Sequence, residues 1–185
     1  MVLVELIAQA DERALAVSGL ACLDRCVPLL GGDDEVLRPL WAGLDEGWGE
    51  RLEQARVKLP APFEETGEDR AVRLARRMLA TAPAEPTGAP VRVWADACSV
   101  ASLRIHRLLE VMVPVGDDAD EIDSRREGRT DGISPLVAAE LRRQITVLEL
   151  LGGSGLGGLR QVLAVSTEGR RVLRAVVSRR ARGRG

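Results

Sequence analysis

The sequence predicts an all-α fold: a single-domain multi-helix bundle with a long polar loop and a basic C-terminal end. Three observations carry that reading. Apolar residues recur at three- and four-residue spacing along most of the chain, which is the mark of amphipathic helices. Two-residue alternation is confined to Val91-Arg92-Val93-Trp94, and the pattern that follows it is helical. Aromatic residues are scarce, with Trp41, Trp48, Trp94 and Phe63 the whole set, so the core must be built of Leu, Val and Ala, as in helices that approach closely.

Taken in order, Met1 to Ala10 reads as a short helical lead-in. Asp11 is a helix N-cap type for a helix running to about Leu30. Its apolar arc holds Leu15, Ala16, Leu20, Cys22, Leu23, Cys26, Val27 and Leu30, and leaves Ser18 and Arg25 outside. Pro28 tightens or kinks the last turn. Asp33, Asp34 and Glu35 put negative charge at the start of the next helix, where the dipole favours it. Val36 to Trp48 continues at helical spacing, followed by Glu50 to Leu59. Thr66 opens a helix to about Ala80, and Val91 to Val113 is expected to be the longest. Residues 117–132 read as a polar, mobile loop.

The best-specified helix is Ser134 to Gly153. Ser134 is an N-cap type, Pro135 sits where its missing N–H costs nothing, and Gly152-Gly153 ends it. At about 100° per residue, Val137, Leu141, Ile145, Leu148 and Leu151 share an apolar face. Glu140 and Gln144 break the pattern by projecting between apolar neighbours. Two outcomes fit: a marginal position with the polar ends in water, or a polar site between helices. The chain closes with Leu156 to Val165 and Thr167 to about Arg182, read as a pair of helices. Residues 1–178 are expected to form the bundle and 179–185 an Arg-rich tail.

At 185 residues the chain is long enough to bury a substantial core. Lys58 is the only lysine among 26 basic residues, an arginine bias that fits a GC-rich bacterial genome. Three cysteines, without a basic n-region near the N-terminus, point to reduced thiols in the cytoplasm. No stretch approaches a membrane span. Gly153 to Gly158 matches G-x-G-x-x-G, but a helix precedes it where nucleotide binding needs a strand, so it reads as a connector. Cys22 and Cys26 lie on the apolar arc, as inert buried thiols do. Cys98 and His106 stand about 12 Å apart in helix rise, too far to share a metal with them, and His106 is expected to face solvent. Asp118, Asp120 and Asp123 lack the spacing and glycine of a calcium loop. No cofactor motif is present.

Three strings carry a resemblance: Leu23-Asp24-Arg25-Cys26-Val27-Pro28-Leu29-Leu30, then Ala95-Asp96-Ala97, then Leu136-Val137 with Glu140-Leu141, Gln144, Leu148 and Leu151. In order and helical context they resemble the YjaG-like family of small all-helical bacterial cytosolic proteins of unassigned function. The resemblance implies a fold and no activity, and makes Asp24, Arg25, Asp96, Glu140 and Gln144 the matching polar positions. The glycine-rich connector and Arg-rich end depart from it.

The leading functional expectation is a non-enzymatic interaction protein, an accessory or immunity-type binder of another bacterial protein. The second is nonspecific nucleic-acid binding through Arg170, Arg171, Arg174, Arg179, Arg180, Arg182 and Arg184. The third is a small-ligand or hydrolytic pocket in which Asp24, Asp96, Glu140 and Gln144 converge.

Overall fold

A computed structural model describes residues 1–59, 70–110, 119–153 and 158–183. Among these the chain is all-helical: α1 (Leu3–Gln9), α2 (Glu12–Arg25), α3 (Arg38–Ala42), α4 (Trp48–Lys58), α5 (Arg70–Ala80), α6 (Gly88–Leu108), α7 (Ala119–Arg126), α8 (Pro135–Gly153) and α9 (Gly158–Arg182). Residues 60–69, with the expected helix start at Thr66, residues 111–118, with the expected helix end at Val113, the glycine-rich stretch 154–157 and the last two residues lie outside the described set.

α2 is the axis of the bundle. Asp11 caps it, its side chain accepting from the Ala14 N–H at 2.7 Å, and α6, α8 and α9 all pack against it. Every residue from Leu15 to Arg25 is buried. Ser18 and Arg25, expected outside the apolar arc, are therefore inside the protein: a helix covered on all sides has no solvent face on which to place them. The α-helix stops at Arg25, and Pro28 is the second residue of a short 3-10 turn, Val27–Leu29, that takes the place of a final α-turn.

The expected Val36–Trp48 helix is broken into α3 and the start of α4. Gly47, at φ +80°, supplies the left-handed residue between them. Trp48 then donates its indole N–H to the Pro83 carbonyl at 2.8 Å, and Trp94 donates to Met78 at 2.8 Å. Their rings meet edge-on with centroids 5.9 Å apart. α2 comes close enough to α6 that a Cβ at Gly19 would stand 2.6 Å from the Trp94 ring.

Residues 117–132 are not one loop. α7 occupies 119–126, anchored by the buried Ile122 and stitched by Arg125 to the carbonyls of Arg129 and Asp131. The Ser134 hydroxyl does not cap α8, since it has no hydrogen-bond partner among the described residues. Glu110 at the end of α6 does so from outside, accepting from the Leu136 N–H at 3.2 Å. α9 is one continuous helix and not a pair. Ser166, read as the break, is fully buried within it, and the helix runs on through Arg179 and Arg180 to Arg182.

Candidate functional site

The polar residues singled out from the sequence fall in three separate places. The first is the interior, where α2, α6 and α8 meet. Arg25 ends α2, Glu140 and Gln144 lie one turn apart on α8, and Ser99, Ser102 and His106 share a face of α6. Glu140 accepts from Arg25 Nε at 2.9 Å on one oxygen. Its other oxygen takes Arg25 Nη2 at 2.6 Å, the Ser102 hydroxyl at 2.8 Å and Gln144 Nε2 at 3.0 Å. The Ser99 hydroxyl donates to Gln144 Oε1 at 2.6 Å, and Gln144 Nε2 also donates to the Ser99 carbonyl at 3.2 Å.

Glu140 is 0 % exposed. Of the two outcomes open for Glu140 and Gln144, the inter-helix polar site is the one observed. Burial alone would push the carboxyl upward, but the Arg25 guanidinium and the donors around it reverse this and hold it at about 2. Arg25 is correspondingly held charged by Glu140.

His106 was expected in solvent and is fully buried. Its Nδ1 lies 2.7 Å from the Ser102 carbonyl, an acceptor, so Nδ1 carries the proton. Burial lowers the ring's proton affinity despite the nearby carboxylate, which leaves it neutral. Its Nε2 faces Glu140 Oε2 at 3.7 Å and has no hydrogen-bond partner among the described residues. The sequence signal for this face was Ser99, Ser102 and His106 at i, i+3 and i+7, one stripe of a helix. Cys22, Cys26 and Cys98 are buried thiols, as expected from the apolar arc. Burial pushes Cys22 up to about 12. Acid, base, hydroxyls and thiols are thus assembled in the interior, each of them buried.

The second place is the flank of α2, one residue away. Asp24 projects about 100° from Arg25, toward α9, and both its oxygens accept from Arg170 Nη1 at 2.8 Å. Burial raises the Asp24 carboxyl, with Arg170, Arg25 and the Trp41 indole opposing. Asp34 joins the group, 3.7 Å from Arg170 Nε and hydrogen-bonded by Arg174. An open groove of about 480 Å³ lies over this pair, between α3 and the first half of α9, with Arg38, Trp41, Leu159, Leu163 and Thr167 on its walls. The third place is Asp96, half-exposed on α6 and held by Arg126 of α7. Asp24, Asp96 and Glu140 therefore do not converge, and no hydrolytic pocket forms from them.

The basic end is also divided. Arg170 and Arg174 are committed to Asp24 and Asp34, and Arg180 donates to the Leu108 carbonyl at 3.1 Å. Arg171, Arg179 and Arg182 remain on the solvent side of α9. Six of the seven arginines of the nucleic-acid reading lie on the described helix, and Arg184 lies outside the described residues. Among the described residues no helix is long and apolar enough to cross a membrane, and no group of His, Cys, Asp and Glu could hold a metal. Comparison of the chain with family models, with curated proteins and with solved structures gives no match.

Proposed function

We propose that this chain is a non-enzymatic interaction protein, an accessory or immunity-type binder of another bacterial protein, and that it grips its partner through the groove between α3 and α9. The observation that carries the reading is the contrast between the two polar assemblies. The one with acid–base chemistry is buried, and the open one consists of ion pairs of Arg170 and Arg174 with Asp24 and Asp34 beside Trp41, with Leu163 37 % exposed next to them. An aromatic floor, arginines already held in place and an apolar contact are what protein hot spots are made of. Preformed ion pairs also lower the ordering cost of docking.

Leu163→Glu and Arg38→Glu place charge on the groove without touching the core. Each should weaken capture of a stoichiometric protein partner from native lysate by about tenfold or more, with the helical circular dichroism unchanged. Equal capture by both variants, or no stoichiometric partner for the unaltered chain, counts against the proposal.

A further inference from the structure

A second accessible groove, about 330 Å³ in volume, runs between α5 and α6. It shares no residue with the α3–α9 groove. Leu74, Met78, Ala97 and Ala101 form its floor, and Arg77 and Arg104 stand at its edges. Three features distinguish it from an incidental furrow. First, the apolar surface on α6 continues past the groove: Val93, Ala97, Val100 and Ala101 recur at i, i+4, i+7 and i+8, and Val93 is 69 % exposed. That is the stripe of an amphipathic helix face turned outward, where a helix of this chain would have been expected to pack. Second, the floor is small. Ala97 and Ala101, one turn apart, let another backbone come close.

Third, the charge is of one sign. The residues lining the groove include two arginines, Arg77 and Arg104, and no acid. Arg77 and Arg104 have no carboxylate partner among the described residues. The one acid close by on α6, Asp96, is taken by Arg126.

The geometry points to a docking surface for an acidic amphipathic helix of a partner protein. Its apolar residues would sit on the floor at i, i+3 or i+4 and i+7, the anchor spacing of helix-in-groove recognition, and its carboxylates would reach Arg77 and Arg104. Ala97 to Arg104 spans about 10 Å of α6, two turns of such a helix. A small amphiphile would fill the cavity but leave the Val93 end of the stripe uncovered, whereas a helix covers both.

The test is selection from a library of displayed helical peptides panned against the full chain. Enriched sequences should carry Asp or Glu flanking an apolar stripe. Their affinity should fall about tenfold or more on the Arg77→Glu/Arg104→Glu variant and as ionic strength rises. Ala101→Arg, which blocks the floor without removing a charge, gives a second reading should the charge-reversed variant fold poorly. Basic or uncharged winners overturn the proposal, as do acidic winners indifferent to these substitutions, and so does a selection that enriches nothing. None of these outcomes depends on Leu163 or Arg38, so this surface and the α3–α9 groove stand or fall separately.

Discussion

At the scale of single residues, the decisive interaction is Arg25 with Glu140. Both side chains are fully buried, and the guanidinium meets the carboxylate through two hydrogen bonds, at 2.6 and 2.9 Å. Taking two such charges out of water costs several kcal/mol each; Ser102 and Gln144 add two donors to one carboxylate oxygen, while Arg25 Nη1 is buried with no hydrogen-bond partner among the described residues. The pair is therefore a weak source of net stability but a strong constraint on which packing is allowed. Glu140→Gln leaves the Arg25 charge buried without a counterion, and should destabilise the fold by about 3–5 kcal/mol in urea unfolding. Replacing both, Arg25→Met with Glu140→Leu, should recover most of that loss, because an apolar pair has no charge to desolvate. A loss below about 1 kcal/mol for the single substitution would mean that water reaches Arg25.

At the scale of elements, the arginine dictates how near α9 may come. Arg25 has to run its stem past Gly169 to reach Glu140, and a Cβ at Gly169 would stand 2.4 Å from Arg25 Cδ. In an exposed helix Gly→Ala stabilises by about 1 kcal/mol. Here the flexible stem cannot swing aside, since its head is fixed to Glu140, so overpacking outweighs propensity. Gly169→Ala should cost about 1–3 kcal/mol, read as a lower thermal midpoint, while the same change at the exposed Gly152 should not. The element boundaries show what periodicity can and cannot reveal. α8 and the body of α6 were legible because prolines and glycines flank a clear apolar stripe. α7 was not, because a single large apolar residue, Ile122, anchors a helix of eight residues of which six are polar. The unbroken α9 was missed because Ser166 and Thr167 look like a helix start, and only packing against α2 and α8 makes Ser166 an interior residue.

At the scale of the whole molecule, the site was half legible for one physical reason. A one-dimensional pattern tells which face of a helix is apolar, but not how many neighbours surround it. Glu140 and Gln144 stood out because they interrupt an apolar arc. His106 did not, because on a helix assumed to have a wet side it was placed there; Arg25, placed outside its arc for the same reason, stood out only as a matching polar position of the resemblance. That error has a measurable counterpart, because His106 is the only histidine and it is buried neutral. Its folded proton affinity lies below the ordinary 6.5, so the unfolded chain binds the extra proton first as pH falls. Stability contributed by the neutral ring is full above 6.5 and is lost progressively below it. Glu140 acts in the same direction over a lower window, its contribution present above 4.5 and lost as pH falls toward about 2. Asp24 opposes both, because its raised carboxyl favours the protonated form, so its contribution is full below 3.8 and declines as pH rises above it. Between pH 7 and 5 Glu140 no longer sets the slope; the histidine lowers stability as pH falls, and the raised Asp24 carboxyl acts against it. On going from pH 7 to 5, urea midpoints of the unaltered chain should therefore drop relative to those of His106→Gln, the difference being the histidine's share. No drop relative to that variant would mean that His106 takes up its proton inside the fold, against Glu140, and that the interior is not the dry assembly described above.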